Sequence, residues 1–234
     1  MTTDATYMMD AEAASARMLQ RAGRWDEALA GLAPGEAVAL RAEILVDRYW
    51  WSLEGGAAAA EAVHLLGASD PVLAGYLSAQ VRYTRLLFDL APLAEDLERA
   101  REEFTAATAD PRLTGWAVFW LGVLADNVDE DPEVAEPAYR DALGHAQQHG
   151  DALLESYALR HLGDHLLDRD REQGITLLRR SYDLRASLGA RPQTAAAALT
   201  LAGELPPGTE ADHLRATAAG TAADLGLTWL LRAL

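Results

Sequence analysis

A helix stop-and-start signal recurs about every forty residues along this chain, and that period constrains the fold more than any single motif. Asp70-Pro71 and Asp110-Pro111 stand 40 residues apart; Gly150-Asp151 follows at the next step and Gly189-Ala190-Arg191-Pro192 at the one after. Asp caps a helix start by accepting an unpaired backbone N–H, and Pro is tolerated at the first helical position because its missing N–H would go unsatisfied anyway. Gly150 and Gly189 suit the position just past a helix end, where the backbone turns left-handed. A fixed period of roughly 20–50 residues is the signature of stacked repeats, each too small to bury its apolar face alone.

The expected fold class is therefore all-α, an α-solenoid of about six antiparallel helix pairs in a single domain. Units fall near 1–33, 34–69, 70–109, 110–149, 150–189 and 190–226, with 227–234 as an apolar C-terminal cap. First helices are predicted to start near Pro34, Pro71, Pro111, Asp151 and Pro192. Apolar residues at helical spacing support two helices per unit: Leu154, Ala158, Leu162 and Leu166, then Ile175, Leu178, Tyr182 and Leu188. Pro137 predicts a late start or a kink in the second helix of the fourth unit. Thr209 and Asp212 have capping-box spacing. No alternating β-branched run and no Asn-Gly hairpin signal a strand.

Composition excludes several function classes. The chain has 234 residues, a net charge of −16 and no cysteine. All twenty basic residues are Arg. Without Cys there is no thiol nucleophile and no thiolate metal site. Without Lys there is no Schiff base and no phosphate-gripping P-loop lysine. Nucleic acid and anionic membranes call for basic surface, so neither is an expected partner. No apolar run is long enough to span a bilayer. The acidic start, without a basic segment, does not read as a signal peptide, and a cytoplasmic location is expected.

The segment Gly23-Arg24-Trp25-Asp26-Glu27-Ala28-Leu29 and the pairs Leu121-Gly122 and Leu162-Gly163 resemble the tetratricopeptide-repeat (TPR) family. In that family a Gly ends the first helix, an aromatic opens the second, and a mid-helix Leu-Gly lets two backbones approach. The resemblance implies a right-handed solenoid like the arrays of bacterial signalling regulators. The period is nearer 40 than the family's usual 34, and HEAT-like helix pairs are the alternative architecture.

Ten of the 16 aromatics fall in the predicted first helices of units two to five. The resemblance implies that these helices line a concave groove. Registering Gly122 and Gly163 with the family's Leu-Gly aligns Trp116, Phe119, Tyr157, Arg160 and Asp164 with its groove positions. A weaker alignment of the third unit adds Arg85 and Phe88. A stripe at helical spacing also fits interhelical core, which is how Trp120 and Tyr83 read. Arg160 and Asp164, four apart, can pair on one helix face.

Other constellations carry less. His145/His149 and His161/His165 have i, i+4 spacing, as a metal site needs. If their helices form a hairpin turning at Gly150, however, His161 lies opposite Tyr139 rather than His145, and the four rings do not converge. The acidic stretch Asp126–Asp131 lacks the mid-loop Gly and terminal Glu of a calcium loop. No nucleophile elbow, dinucleotide loop or catalytic pair is present. The expected function is a non-enzymatic protein- or peptide-binding scaffold or adaptor, with no metal and no cofactor. The alternative is a sensor or regulator that binds a small molecule or peptide, such as one of specialised metabolism, in the same aromatic groove. An open groove would favour the first, a closed pocket with converging polar groups the second.

Overall fold

The computed structural model describes residues 2–33, 35 and 37–234, with side chains from Ala11 onward. Among the described residues every regular element is a helix. The six pairs are α1 (Thr2–Arg21) with α2 (Trp25–Ala30), α3 (Val38–Ser52) with α4 (Gly56–Leu66), α5 (Pro71–Phe88) with α6 (Asp96–Ala107), α7 (Thr114–Asn127) with α8 (Pro132–His149), α9 (Ala152–Leu166) with α10 (Arg171–Ser187), and α11 (Arg191–Glu204) with α12 (Thr209–Leu225); a short α13 (Thr228–Ala233) follows. Each helix packs on its neighbours in the chain, as in an α-solenoid.

The punctuation residues do the local work expected of them. The carboxylates of Asp70, Asp131, Asp151 and Asp170 accept the backbone N–H three residues on, at 3.0–3.1 Å, and so cap α5, α8, α9 and α10. Gly150 ends α8 with a left-handed φ of +69°, which a side chain would strain. Asp110 behaves differently: it folds Pro111–Leu113 into a turn, and α7 starts only at Thr114. Pro34 lies outside the described residues; the helix expected there begins at Val38. Helix α8 starts on Asp131 and continues through Pro137, so the expected late start is not seen. Thr209 lies inside α12, whose first turn has no side-chain cap, so no capping box forms.

The mid-helix glycines mark close helix contacts. A Cβ on Gly163 would lie 3.0 Å from the carbonyl oxygen of Gly174, and one on Gly122 would lie 3.0 Å from the Cβ of Ala138. These two positions bring α9 onto α10 and α7 onto α8.

The feature absent from the sequence reading is closure. A Cβ on Gly23, at the α1–α2 turn, would sit 2.7 Å from Leu225 and 3.1 Å from Pro192. One buried cluster joins Trp25, Ile44 and Trp51 of the first two units to Ala195, Ala222, Leu227 and Leu230 at the other end of the chain. Trp229 of α13 stacks on Trp51 at 5.4 Å. The last pair therefore rests on the first two, and the solenoid closes into a ring. The odd-numbered helices form its inner layer. The predicted C-terminal cap does cover apolar residues, but it seals the ring rather than an open end.

Candidate functional site

Closure turns the concave face into a lumen with two chambers. One, of about 420 Å³, lies among the N-terminal halves of α5, α7 and α9 with α1 and α3. The other, of about 620 Å³, lies among the C-terminal halves of α3, α5, α7 and α11 and is roofed by α13. Trp50, Trp120 and Tyr157 line both and so form the partition.

Trp50 is the hub of this partition. Its ring stacks on Tyr83 at 5.7 Å and meets Phe88, Trp120 and Trp229 at 5.4, 6.0 and 6.4 Å. The indole N–H of Trp120 donates to the Tyr76 hydroxyl at 3.1 Å, which fixes the ring's polar edge, and Phe104 stacks on the ring at 5.8 Å. The larger chamber thus has walls of rigid aromatic surface, favourable for desolvating an apolar body at low entropy cost.

Its charged groups are few: Arg160, Arg185 and Glu204. Arg185, only 4 % exposed, is the one residue of the outer helices α4, α6, α8, α10 and α12 to reach the chamber wall. Ser156 and Ser181 are small enough to admit it, and its guanidinium lies 4.4 Å over the Tyr157 ring. Nε donates to the Ser156 hydroxyl at 3.2 Å and Nη1 to the Gln193 carbonyl at 3.1 Å. Among the described residues no carboxylate pairs with it. Burial, aided by Arg160, pushes its pKa down to about 10. A buried, unpaired ion costs on the order of several kcal/mol, so an arginine is an expensive way merely to tie α10 to its neighbours. Arg160 also lines this chamber; it reaches Asp164 only at 3.9 Å.

Behind Arg160 lies a polar chain. His161 stacks on Tyr139 at 4.5 Å, as the hairpin geometry at Gly150 required. Its Nδ1 lies 3.2 Å from Arg160 Nη1 and 3.5 Å from Asp126. Burial, followed by the charge of Arg160, pushes His161 down to about 3, so the ring is neutral. Asp126 also accepts from the Tyr139 hydroxyl at 2.9 Å and contacts His165 at 3.0 Å. Burial acts to raise its carboxyl, but His161, Tyr139 and His165 outweigh it and hold the group well below the usual carboxylate range. The His145 and His149 rings stack on each other, 6.2 Å apart, elsewhere on α8.

The smaller chamber is more polar. Asp47 lines it and accepts from the indole N–H groups of Trp25 and Trp51 at 2.8 and 3.1 Å. Burial raises its pKa to about 6 despite these donors. A raised acid is favoured in its protonated form by the fold, so stability falls as pH rises from about 4 to 6 and stays lower above. The stability of Asp47→Asn relative to wild type is expected to rise by about 2–3 kcal/mol between pH 4 and pH 8, because only the aspartate must ionise inside the fold. Urea midpoints at the two pH values check this; an equal change at both would rule out the titration.

The seven residues singled out from the sequence divide. Phe88, Phe119, Tyr157 and Arg160 line the larger chamber, although Phe119 is only 1 % exposed. Trp116 lines the smaller one, its N–H held by Asp151 at 2.8 Å. Arg85 is drawn away into an ion pair with the fully buried Asp96, which also binds Arg82. Asp164 is exposed and lines neither chamber. Arg185 was missed because second helices were not expected to reach the groove. One signal pointed to it: it falls seven residues after Leu178, on that helix's buried flank.

No protein-family model matches the chain, and neither does any curated protein or solved structure.

Proposed function

We propose that this chain is a TPR-like, non-enzymatic binding protein whose lumen takes up a small, largely apolar molecule, as a sensor or regulator in the cytoplasm. The observation that carries this reading is the aromatic chamber of about 620 Å³ inside a closed ring. Small-molecule sites are concave, mostly apolar and of roughly 300–1,000 Å³, with a few convergent polar groups. An extended peptide needs an open groove, whereas here the aromatic face is turned inward and α13 lies across one mouth. That geometry supports the small-molecule reading over the scaffold reading.

The test uses N-phenyl-1-naphthylamine, a neutral fluorophore. The wild-type protein is expected to bind it saturably, at one molecule per chain. Leu199 lines the chamber, so Leu199→Trp should fill it and weaken binding at least tenfold while the circular dichroism spectrum stays helical. No saturable binding by the wild type, or unchanged binding by the variant, would contradict the lumen as the site.

A further inference from the structure

Within that reading, we infer that the ligand of the larger chamber carries one negative charge, most simply a carboxylate on an aromatic body, and that Arg185 with Arg160 receives it. The inference rests on the lumen being the binding site and adds the chemical class of what it holds.

Two independent observations lead there. The first is the charge balance of the wall. In a protein of net charge −16, this chamber presents Arg160 and Arg185, and its one carboxylate, Glu204, is already paired with Arg171 at 3.0 Å. Arg185 spends Nε and Nη1 on neutral oxygens, from Ser156 and Gln193, and among the described residues its Nη2 has no acceptor. A guanidinium offers five N–H donors in a fixed fork that matches a carboxylate. The second, a supporting one, is an unused donor buried within α13. The indole N–H of Trp229 is buried and has no partner among the described residues, although buried donors are nearly always satisfied. A wall whose buried guanidinium keeps a donor group without an acceptor, and whose one carboxylate is already paired, calls for an anionic acceptor from outside.

The same geometry limits the charge. Helices α3, α5 and α7 point their C-terminal ends, and so their partial negative charge, toward this end of the lumen. The helix ends offset much of the two arginines' charge, so a single carboxylate leaves the site nearer neutral than a dianionic phosphate would. The rest of the ligand faces Trp50, Phe88 and Trp120, which offer apolar ring carbons rather than hydrogen bonds.

The experiment compares three probes of one shape: 2-naphthoate, 2-naphthamide and 2-(aminomethyl)naphthalene. Binding is followed by quenching of tryptophan fluorescence and by calorimetry. Wild-type protein is expected to bind the naphthoate at least tenfold more tightly than the amide, with the amine weakest. Arg185→Gln should cut the naphthoate-over-amide preference to less than threefold. Because Arg185 is buried, that variant could unfold; Arg160→Gln, at a half-exposed position, then carries the same expectation, and the wild-type comparison needs no variant at all. Saturable binding of naphthoate and amide with equal affinity would overturn the anion subsite while leaving the aromatic lumen standing. A tenfold preference that survives in folded Arg185→Gln and in Arg160→Gln would overturn the assignment to these arginines. Failure of all three probes to bind would overturn this inference together with the reading it rests on.

Discussion

Removing residues 227–234 is expected to lower the melting temperature by roughly 10–20 °C. The segment buries Leu227 and Leu230 completely and places Trp229 against Trp50, Trp51 and Phe88. Truncating one buried Leu or Trp costs about 2–5 kcal/mol. Losing three such side chains at once, and exposing the aromatics beneath them, should cost at least about 5 kcal/mol even after the neighbours relax. For a chain of this length each kcal/mol shifts the midpoint by about 2–4 °C. Thermal unfolding reads the loss directly, and an unchanged midpoint would show that α13 does not hold the ring shut. The truncated protein should also bind an apolar dye without saturation, because the chamber has lost its roof.

Asp126→Ala is expected to destabilise the protein by about 1–3 kcal/mol, the range for leaving buried donors without their acceptor. His161, His165 and the Tyr139 hydroxyl all turn to this carboxylate. The network also has a pH signature. His161 is held near 3, far below a free imidazole, so between about pH 6.5 and pH 3 the unfolded chain binds the proton and the folded one does not. Stability therefore falls as the solution is acidified through that window. Asp126, held low, adds to the fall: its contribution is present above the ordinary carboxylate value and is lost as pH drops toward its own. Asp47 works the other way between about pH 6 and pH 4, so wild-type stability alone mixes the two. The diagnostic quantity is the difference between wild type and His161→Gln. It should shrink or reverse by about 1–2 kcal/mol between pH 7 and pH 5, measured by urea unfolding. A difference that does not vary with pH would mean that His161 is not held neutral by its surroundings.

The local architecture was legible because it is written in short-range chemistry. Asp70 and Asp151 cap helices through backbone groups three residues away, and Gly150 ends a helix through its own φ. Such signals sit within one turn of the residues they affect. Asp110 shows the limit: the same Asp-Pro pair opens a turn instead of a helix. The placement of His161 opposite Tyr139 followed from one hairpin turn. Ring closure was not legible, since it depends on curvature summed over six pairs and on contacts such as Trp50 with Trp229 across most of the chain. The candidate site inherits that division. A helix register placed Phe119, Tyr157 and Arg160 on the inner face, and they line the larger chamber. Trp229 and Arg185 required knowing which distant surfaces meet. Arg85 was misplaced from the groove because a buried acid on α6, Asp96, competes for it, and nothing local announces that pairing.

Closure also sets an order in time. Open repeat arrays can fold from any point, unit by unit, because each repeat touches only its neighbours. Here Trp50 and Trp51 wait for Trp229, about 180 residues later in the chain, and at a synthesis rate of roughly 5–20 residues per second that is a delay of about ten seconds or more. During it the inner helices stand as an open arc with Trp50, Phe88 and Trp120 facing water. The nascent chain is thus most adhesive just before α13 leaves the ribosome, and chains that stop short of it are natural clients for chaperones and proteases.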